Sequence, residues 1–126
     1  ERSSLVKLYF PLRHLGSMSM EEAQWYWRTH HGPVIRRQAH GSGIIRYQQV
    51  HRDEPELTDG INRSRGSKVE PYLGHAEVWM DRSVMGNPTP ENKAASKRAY
   101  EDEANFIDFA RSTMFLTKEH VFIDRR

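Results

Sequence analysis

The order of strand-like and helix-like segments is the feature of this sequence that most restricts its fold. Residues 5–10, rich in apolar and aromatic side chains, predict a first strand, and Pro11 marks its end. Ser19 and Glu22 have the spacing of a capping box, in which each side chain bonds the other's backbone N–H. A helix is therefore expected to begin at Met20.

The rest of the chain alternates between strands and helices. A bend is predicted at Gly32-Pro33, after which a short helical piece should reach about Ala39. Thr89 followed by Pro90 is typical of a helix start, with threonine as the cap. The remaining predicted elements are a strand at 44–51, a strand at 73–80, a helix from 90 to about 111 and a strand at 114–123.

Residues 52–72, between the second and third strands, are predicted to be a loop. They show no apolar periodicity and contain Pro55, Gly60, Gly66 and Pro71. A segment of this length in a small domain is usually a lid, a binding loop or disordered. Its basic stretch at 63–68 is expected to be solvated.

Strand, helix, strand, strand, helix, strand is the order of the ferredoxin-like split βαβ arrangement. It predicts an α+β fold with a four-stranded antiparallel sheet and both helices on one face. The other face is then bare, and a second copy of the chain is the simplest cover for it. We expect a single domain over residues 5–124, with residues 1–4 and 125–126 as terminal segments.

Composition narrows the classes of protein to consider. Charged residues make up 29% of the 126-residue chain, and no apolar run approaches the ~20 residues that span a bilayer. The absence of cysteine excludes disulfides, thiolate zinc sites and cysteine nucleophiles. A formal charge of +2 does not indicate a nucleic-acid binder. No signal peptide is recognisable. The lack of cysteine fits a cytoplasmic protein, and we expect neither membrane nor nucleic-acid partners.

Side chains alternate between the two faces of a strand, so the sequence also predicts what each face carries. An aliphatic set suits packing under helices: Val6, Leu8, Phe10, Ala76, Val78 and Met80. The second strand is ambiguous, because a one-residue bulge would exchange its faces. By analogy its residues 47, 49 and 51 are assigned away from the helices. The face away from the helices is then predicted to carry Lys7, Tyr9, Tyr47, His51, His75, Glu77, Trp79, His120 and Phe122.

Aromatic rings mixed with ionisable groups are costly to bury dry, and they are typical of small-molecule pockets. We therefore expect this face to line a substrate pocket. Its rings would stack on a flat substrate, and its Lys7, His51 and His120 would supply polar contacts. The alternative is an amphipathic sheet covered by a dimer interface, with the histidines hydrogen-bonded there.

Residues 25–34 read Trp-Tyr-Trp-Arg-Thr-His-His-Gly-Pro-Val, an aromatic-rich helix that runs into a His-Gly-Pro. Together with residues 18–22, this segment resembles the start of EthD-domain proteins. Residues 74–81 are similar to that family's Gly-x-Ala-Glu-apolar-Trp stretch, and residues 101–108 to its second-helix segment. The resemblance covers most of residues 5–123. It implies a dimeric α/β barrel in which two four-stranded sheets close around cavities.

The resemblance also implies which residues matter. His31 matches the family's histidine, Glu77 and Trp79 match its third strand, and His75 stands where an apolar residue is common. We expect His31 to be a general acid or base; a ring that caps the end of its helix is the alternative. His75 and Glu77 point the same way from one strand and form the second expected catalytic pair. The alternative for that pair is a salt bridge across a dimer interface.

These inferences predict a cofactor-independent lyase or isomerase of dehydratase, cyclase or decarboxylase type. It would act by acid/base catalysis on a small cyclic oxygenated, aromatic or polyketide-like intermediate, with no metal assigned. One alternative is an oxygenase or haem-handling protein with His31 or His51 as iron ligand. Others are a metal site built from His51, His75 and Glu77, a non-catalytic ligand carrier, and an RNA binder related to RRM domains.

Overall fold

The computed structural model describes residues 4–126, in which four strands form one sheet. The strands are β1 (Leu5–Leu12), β2 (Ile44–His51), β3 (Gly74–Asp81) and β4 (Phe115–Thr117). The helices are α1 (Met20–Tyr26), α2 (Gly32–Arg37), α3 (Ala39–Ser42), α4 (Pro55–Ser64), α5 (Ser83–Gly86) and α6 (Pro90–Glu103).

The sheet order is β2-β3-β1-β4, and every neighbouring pair is antiparallel. This order, with α1 and α6 packed on one face, confirms the predicted ferredoxin-like α+β fold. Residues 1–3, which belong to the predicted N-terminal segment, lie outside the described residues. No helix within residues 4–126 is long and apolar enough to cross a membrane.

The first helix begins where the capping box predicts it. The Ser19 hydroxyl accepts from the Glu22 amide at 3.1 Å, and the Glu22 carboxylate accepts from the Ser19 amide at 3.2 Å. The predicted bend at Gly32-Pro33 is replaced by a π-helical turn over Trp27–His31, which joins α1 directly to α2. The Gly32 amide donates to the Trp27 carbonyl, five residues back, and Pro33 follows without an N–H to satisfy.

The core lies between the sheet and the helices, as the aliphatic pattern predicts. Phe10 and Leu12 of β1 and Ala76 of β3 pack against Ala23 of α1 and the fully buried Trp27. Phe106, which follows α6, is also fully buried in this cluster. Leu8 pairs with Val78 across β1 and β3, so these two residues also face the helices.

The predicted facing of the second strand is wrong. Ile44 pairs with Met80 and Arg46 with Trp79, so Ile45 is an extra residue in a bulge. From Tyr47 onward, each side chain of the strand therefore faces the side of the sheet opposite to the predicted one. Tyr47, Gln49 and His51 lie opposite Val78, Ala76 and Gly74 and face the helices, whereas Arg46, Gln48 and Val50 take the other face.

The predicted loop at 52–72 contains a helix, α4, which has Pro55 as its first residue. Its Leu57 and Ile61 are 66% and 65% exposed, so this helix adds little to the core. Leu57 and Ile61 are four residues apart and share one side of α4, but two apolar positions are too few to distinguish a helix from a loop in the sequence.

Two predicted elements near the C-terminus end early. Helix α6 stops at Glu103 instead of 111, because the chain turns to bury Phe106 and to pair Ile107 with His14. Strand β4 pairs with β1 only over Phe115–Thr117. His120 and Phe122 were assigned to the sheet but lie beyond it, and Phe122 is 93% exposed.

Gly74 is expected to tolerate no side chain. Its φ is 151°, and a Cβ built on it would lie 2.1 Å from the Val50 carbonyl oxygen. Gly74→Ala should therefore lower the free energy of unfolding by about 2 kcal/mol or more, measured by urea denaturation. Gly16→Ala is the matched control, because a Cβ there meets no atom within 4 Å. Equal stability of the two variants would contradict this close approach.

Candidate acid/base site

A cavity of about 700 Å³ lies between the sheet and the helix layer. Most of its wall is apolar, with contributions from β1, β3 and α2: Leu8, Phe10, Ala76, Val78, Met80 and Ile35. Four other side chains bring polar atoms to this wall near one end of α6: Trp27, His31, Tyr47 and Glu103. The size and the sparse polar groups are those of a small-molecule site.

His31 is placed by the π-helical turn and is only 3% exposed. Its Nδ1 lies 2.7 Å from Oδ2 of Asp102 on α6, and its Nε2 lies 3.7 Å from Oε2 of Glu103. Burial lowers the pKa of His31 below its ordinary value and outweighs the opposing effect of Asp102. The ring is therefore neutral near pH 7, with its Nδ1–H donated to Asp102 and its Nε2 lone pair available.

Asp102 is the group that holds this end of the site together. Its Oδ1 accepts from the Tyr26 hydroxyl at 2.7 Å and lies 3.0 Å from Nδ1 of the half-exposed His30. Burial by itself raises the pKa of Asp102, but the hydrogen bonds from Tyr26 and His31 bring it below its ordinary value. The carboxylate thus stays ionised and orients the His31 ring.

The pKa of Glu103, the next residue, is shifted in the opposite direction from that of Asp102. Burial and the neighbouring charge of Asp102 raise the pKa of Glu103 to about 7. The structure provides it with no cationic partner among residues 4–126 other than a protonated His31. Two adjacent carboxyl groups therefore differ in protonation near neutral pH, which is the usual basis for separate acid and base roles.

Tyr47 adds a hydroxyl to the same wall. It receives a hydrogen bond from Nε2 of Gln49 at 3.0 Å, and Trp27 also bonds its oxygen. Burial raises the pKa of Tyr47 to about 12, so the phenol keeps its proton. Because its oxygen already accepts two hydrogen bonds, its own O–H is available to a ligand.

His51 supports this arrangement from behind. Its ring stacks on Trp27 with centroids 4.3 Å apart, and its Nε2 bonds Oε1 of Gln49 at 2.7 Å. The same Gln49 amide donates to the Trp27 carbonyl at 2.8 Å. Burial lowers the pKa of His51, so its neutral form donates to Gln49 and fixes the amide that holds Tyr47.

The second predicted catalytic pair lies on the other side of the sheet. Nε2 of His75 is 2.9 Å from Oε2 of Glu77, and Lys7 forms an ion pair with the same carboxylate. Burial raises the pKa of Glu77, but the hydrogen bonds from Lys7 and His75 have the larger combined effect. The pKa therefore lies below its ordinary value, and the group is ionised. Tyr9 packs on His75, and Trp79 lies under the Lys7 ammonium. This cluster faces away from the helices and does not reach the cavity of its own chain.

Of the predicted site residues, the structure brings His31 and Tyr47 together, with His51 behind them. It separates them from Lys7, Tyr9, His75, Glu77 and Trp79, which occupy the outer face as the pattern predicts. The single polar and aromatic face expected from the sequence is therefore two clusters, one on each side of the sheet. His120 and Phe122 join neither. Within residues 4–126, no group of three or more His, Asp or Glu side chains is arranged to hold a metal ion.

Asp102 and Glu103 were not singled out from the sequence, although a signal was present. Ala95, Ala99 and Phe106 are spaced to share one apolar face of a helix, and position 103 follows Ala99 by four residues on that face. A carboxyl group within an apolar helical face is unusual unless it is paired or functional.

Stability should depend on the protonation of Glu103. Between its ordinary pKa of 4.5 and about 7, the folded protein holds this proton more tightly than the unfolded chain does. Stability should consequently fall as the pH rises through that window, by up to about 3 kcal/mol. Glu103→Gln should remove this loss and be more stable than the wild type above pH 7. The lowered pKa of His31 makes stability rise with pH in both proteins. The effect of Glu103 is therefore measured as the difference in unfolding free energy between the wild type and Glu103→Gln at each pH, from urea denaturation. Parallel profiles would refute the raised pKa.

Comparison with known proteins identifies the family. No curated protein matches the sequence. A dimeric protein of unknown function and ferredoxin-like fold from Bacteroides fragilis NCTC 9343 is similar in structure, with a TM-score of 0.46 and 13% sequence identity. That likeness covers 91% of this chain and 94% of the other. The family model of the EthD domain matches residues 16–110, and the chain therefore belongs to the EthD domain family.

Proposed function

We propose that this protein is a homodimeric, cofactor-independent lyase or isomerase that moves protons on a small cyclic oxygenated or aromatic compound. The observation that carries this proposal is the pairing of His31 with Glu103 at one end of an otherwise apolar cavity. A neutral imidazole and a carboxyl group with a pKa of about 7 are both suited to proton transfer near neutral pH.

His31 is the base in this proposal. Because Asp102 accepts the Nδ1 proton at 2.7 Å, the free lone pair is on Nε2, the nitrogen nearer Glu103. Removal of a proton from a carbon next to a carbonyl produces an imidazolium, which the Asp102 carboxylate stabilises. The hydroxyl of Tyr47 donates to the carbonyl oxygen as negative charge develops on it.

Glu103 is the acid. In a dehydration, it transfers its proton to the leaving hydroxyl as the carbon–oxygen bond breaks, which releases water and forms a carbon–carbon double bond. Glu103 is then ionised and His31 protonated. A proton transfer between Nε2 and Oε2, 3.7 Å apart, restores both groups. The cycle balances without any other proton donor, which agrees with a site so deeply buried.

The outer face of the sheet is the proposed dimer interface. It carries Trp79 between Lys7 and Arg46, and the Lys7–Glu77–His75 ion-pair network, in which the Glu77 side chain is 11% exposed. The large rings are costly to leave against water, whereas the Lys7, Glu77 and His75 charges already pair with one another, so the face is compatible with an interface of mixed character. In this proposal His75 and Glu77 join two chains instead of acting on substrate.

The acid/base roles can be tested on cyclic β-hydroxy ketones, followed by absorbance of the conjugated product. His31→Asn and Glu103→Gln should each lower kcat/KM by about 10²–10⁴-fold, because each removes one proton-transfer group. Asp102→Asn should also lower it, through a misoriented His31 ring. The exposed His40 provides the control, and His40→Asn should be unaffected. Full activity in His31→Asn together with loss in His75→Asn would place the chemistry on the other face.

The assembly is tested by native mass spectrometry. The wild type should have twice the 14.8 kDa chain mass. Trp79→Asp should shift the population to monomer, because it places an unpaired charge in the interface. Trp25→Asp is the matched control, since Trp25 is on α1 and 61% exposed. A monomeric wild type, or two variants that behave alike, would contradict this interface.

A further inference from the structure

The cavity extends along nearly the whole of α6, well beyond the His31–Glu103 end. Asn92 and Lys93 line it near the start of this helix, and Glu103 lines it at the end. The rise of an α-helix over ten residues separates Lys93 from Glu103 by about 15 Å. Ala95 and Ala99 lie between them on the cavity wall, and their small side chains leave room along the helix.

The two ends of the cavity differ in charge. At the far end the ionisable side chains on the wall are Lys93 and Lys97, and Met85 beside them is 48% exposed, so this end opens to solvent. Lys97 is 3.9 Å from Glu101, whereas Lys93 forms no ion pair with any residue from 4 to 126. The carboxyl group on the wall, Glu103, is at the opposite end, where its side chain is 16% exposed.

An unpaired lysine at the mouth of an apolar cavity favours a ligand with a complementary negative charge. We propose that this cavity takes an elongated, largely apolar organic anion, with its carboxylate or comparable group at Lys93 and its reacting carbon–oxygen function between His31 and Glu103. The orientation of the reacting end rests on the proposed function; the anion-binding end does not. The length of the cavity and its apolar walls select a flat ring system or chain between the two polar ends.

The test compares a carboxylate with a neutral compound of the same shape. Para-biphenylcarboxylate and para-biphenylmethanol are titrated by calorimetry into the wild type, Lys93→Gln and Lys68→Gln. Lys68, an exposed lysine between α4 and β3, is the matched control for the loss of one positive charge. The wild type should prefer the carboxylate, and Lys93→Gln should weaken carboxylate binding about tenfold while leaving the alcohol unchanged. Lys68→Gln should behave as the wild type.

Each other result overturns the inference. If the wild type binds neither probe, the cavity does not take such an anion. If Lys93→Gln keeps the carboxylate preference, or Lys68→Gln loses it equally, the selectivity does not come from Lys93. The same titration in Glu103→Gln separates this inference from the proposed function. If the preference for the carboxylate depends on Lys93 but no protein catalyses dehydration, the anion-binding inference stands and only the proposed acid/base chemistry is contradicted.

Discussion

The contact on which the site depends is the hydrogen bond between the buried His31 and the buried Asp102. It joins the first helical segment to α6, and Tyr26 supplies a second bond to the same carboxylate. A buried carboxylate without partners would cost several kcal/mol, so each of these groups requires the others to be in place. Among the described residues, no buried side-chain nitrogen or oxygen lacks a hydrogen-bond partner. The π-helical turn contributes to this arrangement, because it places both Trp27 and His31 in the interior.

The sheet divides the ionisable residues into two clusters with different surroundings. On the helix side, burial shifts the pKa values of Glu103 and His31 in the directions that favour their uncharged forms. On the outer side, pairing with Lys7 outweighs burial for Glu77, whose pKa falls. Groups whose uncharged forms are favoured, as at His31 and Glu103, are poised to exchange protons, whereas groups that stay charged, as at Glu77 and Lys7, are suited to electrostatic pairing. This difference is why the proposed chemistry is assigned to the cavity and the proposed interface to the outer face.

Local patterns were sufficient for much of the fold. The capping residues Ser19 and Thr89 mark the starts of α1 and α6, and alternation in β1 and β3 correctly assigns their faces. Local patterns failed where a single residue changes which way the side chains face or where a helix ends. The bulge at Ile45 reverses Tyr47 and His51, and nothing in the alternation of that strand reveals it. The end of α6 was missed for a related reason, because burial of Phe106 draws the chain out of a helix that its local sequence would continue.

The sequence by itself determined the order of the four strands and the two main helices, the aliphatic face that packs under those helices, and the family to which the chain belongs. It also made His31 a candidate site residue, since the His-Gly-Pro segment is a continuous pattern that can be recognised without a structure. Only the tertiary structure decided which groups His31 meets. Asp102 and Glu103 lie some 70 residues away along the chain and reach His31 because α6 packs beside the first helical segment. Their protonation depends on burial and on neighbouring charges, which are properties of the assembled interior and not of any local stretch of sequence.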